Sequence, residues 1–349
     1  MHPIRDFDLE CERLFDICLE RISAYPPALR QPGRVRFEDH WPPEQKCPCA
    51  FHIAYLLPFW LKEPFALDWD VCRQVGLSNI FLVRYLMLQD ELMDAAPDEY
   101  QGHLQPLTTF FFLDMMAPYR RLLNSDSRFW TLLEEYVAQW GLSITWERQW
   151  HWGVPRAYQE ADLILLTRKV ALLKIPCAAL CLLAGQEEAI GILERITDDL
   201  MMTFLLMDDL QDWRGDLAHG SCTYFLTQVM AHQSLKPPAM VTETDVEQAL
   251  FAGTVLDEYL ELIAEYRRRA LEGASALAIP YLQAYITLRD QAAKQLREDL
   301  ETRRSERILG QFAALIQAAP VLADRPGTDR EMGGGSISLD PGSILPIDP

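Results

Sequence analysis

The sequence predicts an all-α fold, and three observations support this class. Of the 349 residues, 49% are hydrophobic, which is enough for a large buried core. Apolar residues recur at spacings of three and four over long stretches, which is the period of an amphipathic helix. The alternation of apolar and polar residues that is typical of strands is almost absent.

Proline and glycine divide the periodic stretches into separate helices. The clearest breaks are the segments 25–33, 41–48, 95–102 and 235–238. Between the breaks, the apolar period predicts helices over 5–24, 48–62, 67–94, 104–123, 127–142, 156–184, 186–213, 222–232, 243–272 and 276–317.

The sequence predicts one helical domain followed by a tail. No linker and no internal repeat divides residues 1–318, so we expect a single all-α domain there. Residues 319–349 are rich in Gly, Pro, Ser and Asp, and this composition predicts a disordered tail.

Charge and hydropathy restrict the partners. The net charge of −19 argues against nucleic acid and anionic membrane, because both would be repelled. No segment is apolar over the length of a bilayer span; the nearest is IPCAALCLLAG, residues 175–185. The N-terminus lacks the apolar stretch of a signal peptide, so we expect a cytoplasmic protein.

The eight cysteines are scattered, which indicates buried thiols. Cys47, Cys49 and His52 come close together, but the second half of a zinc-binding pattern is missing. We therefore do not expect a zinc site there.

A first acidic motif closes the predicted helix 67–94. Asp90 and Asp94 are one helical turn apart and share a face. Val83 and Leu86 precede Asp90 on that face, so the carboxylates continue a core-facing stripe. The motif also ends its helix, where the helix dipole disfavours anions.

A second acidic motif follows the apolar run at the end of helix 186–213. Asp208, Asp212 and Asp216 fall at i, i+4 and i+8, which again places them on one face. Asp209 forms a further i, i+3 pair with Asp212.

Carboxylates on core-facing stripes need a counter-charge, because a buried unpaired carboxylate costs several kcal/mol. The helix of the second motif carries few basic residues, so a divalent cation is the other solution. Oxygen ligands without His or Cys favour Mg²⁺ or Mn²⁺. The alternative is that both motifs are solvated acidic helix ends. A di-iron site would require Glu-x-x-His pairs, and the sequence contains none.

The two motifs resemble those of the class I isoprenoid synthase superfamily, which includes terpene cyclases, chain-elongating prenyl diphosphate synthases and head-to-head squalene and phytoene synthases. The similarity spans roughly residues 50–230. It implies one helical bundle around a central cavity, in which three Mg²⁺ ions (or Mn²⁺) hold a prenyl diphosphate. Metal-binding and catalytic roles then fall to Asp90, Asp94, Asp208, Asp212 and Asp216, with Asp209 beside them. Many relatives dimerise through helices, so a homodimer is a further possibility.

The resemblance also proposes ligands for the diphosphate. LTRKVALLK is similar to the Lys-Thr-Ala segment of the elongating synthases, with Lys169 at the lysine and Val170 at the threonine. Lys169, and with it Arg168 and Lys174, are therefore candidate diphosphate ligands. For Lys174 a basic patch on a helix surface is an equal alternative. Tyr224, in the turn after the second motif, is a further candidate, as is His219.

Departures from the elongating synthases favour a reaction with one diphosphate substrate. Ser221 stands where those enzymes have lysine, Leu205 stands where they have glutamine, and no arginine pair follows Asp94. We therefore expect a terpene synthase, a carbon–oxygen lyase that ionises a linear prenyl diphosphate and guides the carbocation. A prenyltransferase, head-to-head or chain-elongating, is the alternative. A non-catalytic helical binding protein on the same fold is the second alternative.

A carbocation would also need a dry, apolar cavity with aromatic faces. Core packing explains an aromatic side chain on a helix equally well. The candidates are Phe81, Tyr85, Phe110, Phe111, Phe112, Trp146, Trp150, Trp152, Tyr158 and Phe204.

Overall fold

The computed structural model describes residues 1–38, 52–94, 102–151, 158–234, 241–252 and 254–318. All regular secondary structure in these ranges is helical, which confirms the all-α prediction. The α-helices of these ranges, α1 to α14 in chain order, are Asp8–Ser23, Pro27–Glu38, His52–Lys62, Trp69–Asp94, Gln105–Leu122, Phe129–His151, Glu160–Thr167, Ile175–Leu183, Ile190–Gln211, Trp213–His219, Tyr224–His232, Glu243–Ala252, Val255–Ala276 and Pro280–Ala318.

Most helices lie where the apolar period predicts them, and the differences involve proline or irregular backbone. The segment 25–33 was predicted as a break, yet α2 begins at Pro27 and continues through Pro32. Proline fits the first turn of a helix, because the amide that it lacks has no intrahelical partner there. The predicted helix 243–272 is two helices, α12 and α13, and α6 continues past 142 to His151.

The predicted helix 156–184 is interrupted between α7 and α8. A 3-10 helix, Arg168–Lys174, joins the two, and Val170 has a non-helical backbone with φ −110° and ψ 19°. The start of α7 is well defined, because the amide of Gln159 donates to the Asp162 carboxylate at 2.8 Å in a capping box. The interruption matters because Lys169 lies within it.

Helix packing positions the acidic helix α9 against α13, and α4 against α3 and α5. Gly273 marks the close approach of α13 to α9. A β-carbon at Gly273 would lie 2.7 Å from Cγ1 of Ile196. The missing side chain therefore allows the two backbones to come close enough for the apolar face of α9 to be buried.

Two apolar clusters form the core of the first unit. One contains Trp60 of α3, Phe81 of α4 and Leu200 of α9. The other contains Leu206 of α9 and Phe225 of α11. Because α9 contributes to both clusters, its position is set along its whole length, up to the acidic residues at its end.

Two compact units divide the chain, Met1–Leu300 and Glu301–Pro349. The described part of the second unit, residues 301–318, is helical. The predicted tail, 319–349, lies outside the described residues, as do Cys47 and Cys49. Cys11, Cys18, Cys72, Cys177 and Cys181 are buried thiols. No helix in the described ranges combines the length and the apolar character that a bilayer crossing requires.

Candidate functional site

A cavity of about 490 Å³ is lined by acidic residues from both motifs. Side chains of α4, α6, α9, α10 and the 3-10 segment contribute to its lining. The residues that line it are Asp90, Glu147, Tyr158, Leu166, Lys169, Leu205, Asp208, Asp209, Asp212, Asp216, His219, Ser221, Thr223 and Tyr224.

Backbone hydrogen bonds keep the second motif in helical register although α9 ends within it. Asp212 is the residue between α9 and α10. Its amide donates to the carbonyl of Asp208 at 2.9 Å, and the amide of Asp216 donates to the carbonyl of Asp212 at 3.1 Å. The i to i+4 pattern therefore continues through the junction, and the three carboxylates line the same cavity.

A tight turn then returns the chain to the cavity. Gly220 ends α10 with φ 70°, a left-handed conformation that glycine adopts without strain. The amide of Ser221 donates back to the carbonyl of Asp216 at 2.8 Å. Thr223 caps α11 through its side chain, which accepts from the amide of Leu226. Ser221, Thr223 and Tyr224 consequently join the lining.

Asp209 is the most deeply buried carboxylate of the cavity, with 9% of its surface exposed. Burial raises the pKa of its carboxyl to about 7, against the opposing effect of the Lys169 ammonium. The amide of Phe225, in the first turn of α11, donates to this carboxyl. The Tyr259 ring of α13 lies beside it; burial raises the pKa of this tyrosine, and the Asp209 carboxylate raises it further.

Asp208 and Asp216 are more accessible, but their charges are also disfavoured. Burial raises the pKa of both carboxyls, and repulsion from Asp212 raises it further. The cavity therefore concentrates more negative charge than its own side chains neutralise.

The first motif contributes through α4, whose last turn reaches the cavity. Asp90 lines the cavity from this turn. Asp94 is the last residue of α4, and its side chain lies outside what the structure describes. The role predicted for Asp94 therefore stays a prediction.

Lys169 is the sole lysine or arginine among the described lining residues. Its Nζ lies 3.2 Å from Oε1 of Glu147 on α6. Burial opposes the charged form of this lysine, but Glu147, Asp90 and Asp209 outweigh burial and raise its pKa. Lys169 is therefore a cation held among carboxylates from three helices.

Some of the other candidate diphosphate ligands line the cavity in the structure, and others do not. Tyr224 and His219 line the cavity. Lys174 does not, because it is buried and its Nζ lies 2.7 Å from the carboxylate of Asp198 on α9. Arg168 is also absent from the described lining, and its charge acts on Asp198.

A smaller, apolar cavity of about 120 Å³ adjoins the acidic one. The two share Asp90 and Lys169, which stand between them. The apolar cavity extends between α4, α6 and the 3-10 segment. Its lining is Val83, Leu86, Met87, Asp90, Met93, Trp140, Ile144, Lys169, Val170 and Leu173.

Among the candidate aromatic residues, Tyr158 lines the acidic cavity, and Trp146 packs edge-on against it with ring centroids 6.0 Å apart. Phe81 and Phe111 are buried in the core, and the ring of Phe204 lies under the Arg289 guanidinium. The side chains of Trp150 and Trp152 lie outside the described part. Aromatic residues at helical spacing are therefore mainly core residues here.

Glu147 is the charged residue of the described cavity lining that the sequence did not single out. It is an isolated glutamate on a long amphipathic helix, and its neighbours in sequence give no acidic pattern. It reaches the site because α6 crosses the 3-10 segment that carries Lys169. Only the tertiary structure reveals this pairing.

The described residues contain no group of three or more His, Cys, Asp or Glu side chains arranged closely enough to hold a metal ion. The carboxylates face one cavity without converging on one point. A Mg²⁺ ion would not require such a group, because it typically takes one or two carboxylates and completes its shell with water and substrate phosphate oxygens.

Two solved structures have the same fold. A polyprenyl synthase from Caulobacter crescentus CB15, complexed with calcium and isoprenyl diphosphate, aligns with a TM-score of 0.64 at 15% identity. The alignment covers 81% of this chain and 95% of that one. A geranylgeranyl pyrophosphate synthetase from the archaeon Geoglobus acetivorans aligns at 0.60 and 13%, covering 82% and 98%. The chain thus has the isoprenoid synthase fold. No protein-family model and no curated protein matches it.

Proposed function

We propose that this protein is a metal-dependent enzyme that ionises a prenyl diphosphate. The observation that carries the proposal is the pairing of two cavities with opposite chemistry. An acidic cavity suited to cations and a diphosphate lies next to an apolar one, and Asp90 and Lys169 line both. A prenyl diphosphate has the matching form, since a charged head is joined to a hydrocarbon chain.

The residues fit Mg²⁺ as the cation, with Mn²⁺ as a substitute. The carboxylates of Asp90, Asp208, Asp209, Asp212 and Asp216, together with Asp94, would hold it. Oxygen donors alone favour these hard ions, and a site open to substrate allows several of them, three by the family resemblance. When bound, the metal would supply Lewis-acid neutralisation of the leaving diphosphate.

The chain's own groups would perform the remaining tasks. Lys169 can donate to a diphosphate oxygen, and its position between the cavities places that contact where head and tail meet. Tyr224 and His219 extend the polar rim. The apolar cavity would exclude water from the cation, and Trp140, which lines it, would offer a π face.

We infer that one diphosphate substrate, as in a terpene synthase, suits the described site best. A second diphosphate would need cations of its own, and Lys169 is the single basic residue of the described lining. Two basic residues beside the first motif are not among the described lining: Arg36, paired with Glu91 at 2.6 Å, and the buried Arg84. The hollow between them measures about 10 Å³, which one water molecule would fill.

A prenyltransferase is the second candidate. Two solved structures with this fold, a polyprenyl synthase and a geranylgeranyl pyrophosphate synthetase, favour it. In this case a second substrate would capture the ionised chain.

The test is release of inorganic diphosphate from geranyl, farnesyl and geranylgeranyl diphosphate, with Mg²⁺ or with EDTA. A terpene synthase releases diphosphate from one substrate alone and yields a hydrocarbon or alcohol by mass spectrometry. A prenyltransferase does so only when isopentenyl diphosphate, or a second prenyl chain, is added. If no combination reacts at high enzyme concentration, the proposal fails and a binding protein is left.

A cytoplasmic location and a homodimer belong to the same proposal. Light scattering coupled to size-exclusion chromatography measures the mass of the particle, and a dimer would give twice the 40.1 kDa of the chain. Fractionation of cells that express the tagged protein tests the location.

A further inference from the structure

Tyr224, a candidate diphosphate ligand, lines two different cavities. One is the acidic cavity, and the other is a hollow of about 440 Å³ between α11 and α13. The side chain of Tyr224 is only partly buried. Because there is open space on more than one side of the ring, its position depends on the neighbours that it contacts.

Tyr259 of α13 contacts the first turn of α11 through two aromatic rings. Its ring centroid lies 5.9 Å from that of Tyr224, with 31° between the planes, and 5.3 Å from that of Phe225, with 76° between the planes. Tilted and edge-to-face pairs at such distances are favourable. Tyr259 is 2% exposed and Phe225 is fully buried. Tyr259 is therefore a fixed support for the more accessible ring of Tyr224.

The same turn of α11 is also attached to the acidic helix α9. The amide of Phe225 donates to the Asp209 carboxyl, and Asp209 lies beside the Tyr259 ring. This contact holds the backbone of the turn at the acidic cavity. It does not decide where the Tyr224 side chain lies, because that depends on the contact between the two tyrosine rings.

We propose that Tyr259 is a positioning residue: its ring holds the Tyr224 side chain at the acidic cavity, where the Tyr224 hydroxyl would donate to a diphosphate oxygen. The inference rests on the proposed function, because it requires a diphosphate in that cavity. The described lining of the acidic cavity does not include Tyr259. Tyr259 would therefore act on the diphosphate only through Tyr224.

The test is a double-mutant cycle on diphosphate binding. Tyr259→Leu, Tyr224→Phe and the double variant are compared with the wild type. The dissociation constant of inorganic diphosphate in the presence of Mg²⁺ is measured by titration calorimetry, so this readout does not depend on turnover. KM and kcat for diphosphate release are measured in parallel.

Tyr266→Leu is the matched control. Tyr266 lies two turns further along α13, is buried in the same apolar cluster as Tyr259 and is outside the described lining of the acidic cavity. Its loss should lower the melting temperature about as much as Tyr259→Leu does, without weakening diphosphate binding. The control thus separates a loss of core packing from a loss of positioning.

We expect Tyr259→Leu to raise both the dissociation constant and KM about five-fold, with kcat changed less than about two-fold, because one aromatic contact is lost. In the Tyr224→Phe background the same change should shift them less than about two-fold, since the hydroxyl to be positioned is gone. Tyr259→Phe retains the ring and should restore binding. If Tyr259→Leu does not fold, Tyr259→Met, which fills more of the space without an aromatic ring, takes its place.

Two results would overturn the inference. If Tyr259→Leu lowers the melting temperature but leaves diphosphate binding unchanged, Tyr259 only packs the core. If the shift is equally large in the Tyr224→Phe background, Tyr259 does not act through Tyr224. Failure of the proposed function looks different, since the wild type itself would then neither bind inorganic diphosphate nor release it from a prenyl diphosphate.

Discussion

The amide of Asp212 donates to the carbonyl of Asp208 at 2.9 Å, across the point where α9 ends. This bond and its successor to Asp216 carry a helical spacing into a segment that is no longer one continuous helix. The carboxylates therefore reach one cavity as if the helix had continued, while α10 turns the chain back towards α11. Loss of a carboxylate charge here should affect chemistry far more than folding.

We predict that Asp208→Asn and Asp212→Asn each lower the rate of diphosphate release roughly 100-fold, because each removes an anionic oxygen from the metal site. Their melting temperatures should not fall, since the lost charges repel one another in the absence of metal. Asp70→Asn, at the exposed first turn of α4, is the matched control and should retain full activity. Equal rates of diphosphate release for all three variants would show that Asp208 and Asp212 do not contribute to the reaction.

Lys169 and Lys174 lie in one 3-10 segment but should give opposite phenotypes. Lys169→Met should reduce kcat/KM for diphosphate release roughly 100-fold with little loss of stability. Lys174→Met should leave kcat/KM for diphosphate release unchanged. It should lower the free energy of unfolding by about 1–2 kcal/mol, because the half-buried Asp198 loses its ion-pair partner. Steady-state kinetics and urea unfolding of both variants measure the two effects. A Lys174 variant that is stable and inactive would contradict this division.

Much of the fold was predictable because helical burial is a local, periodic property. The predicted and observed bounds of α4 and α9 agree closely, since each carries an uninterrupted apolar stripe. The interruption at Val170 was not predictable, because its residues are individually compatible with a helix. Nor was α2, where the prolines indicated a break and tertiary packing of Gly33 and Phe37 sustains a helix.

Some residues of the candidate site were likewise predictable from the sequence, and others were not. Asp208, Asp212 and Asp216 could be placed on one face from spacing alone, and the resemblance identified Lys169. Lys174 does not line the cavity because it pairs with Asp198, which lies on another helix. Glu147 contacts Lys169 because α6 crosses the 3-10 segment. Such pairings follow from helix packing, which a single sequence does not encode in any local pattern.

Asp199 should make stability depend on pH. It is buried on α9 and paired with Arg269 of α13 at 2.9 Å. Burial outweighs the arginine and raises the pKa of this carboxyl to about 6, from 3.8. The folded protein therefore holds this proton more tightly than the unfolded chain does. The contribution of the protonated Asp199 to the free energy of unfolding is complete below about pH 4 and is lost as the pH rises through 6.

In Asp199→Asn that titration is absent, so the variant should gain stability relative to the wild type between pH 4 and pH 7, by about 2 kcal/mol. Urea unfolding at intervals of half a pH unit measures the difference. A difference that stays constant over this range would show that the carboxyl titrates alike in the folded and unfolded states.

Trp140 should limit the length of the prenyl chain. It lines the apolar cavity from α6, and its ring lies 6.1 Å from that of Tyr85 on α4. Trp140→Ala should extend this cavity and raise kcat/KM for geranylgeranyl relative to geranyl diphosphate about ten-fold, since each buried methylene contributes 1–3 kcal/mol to discrimination. Trp130→Ala, near the start of the same helix, removes an equal side chain away from the cavity and is the control. If both substrates lose activity in the same proportion, the apolar cavity does not receive the chain.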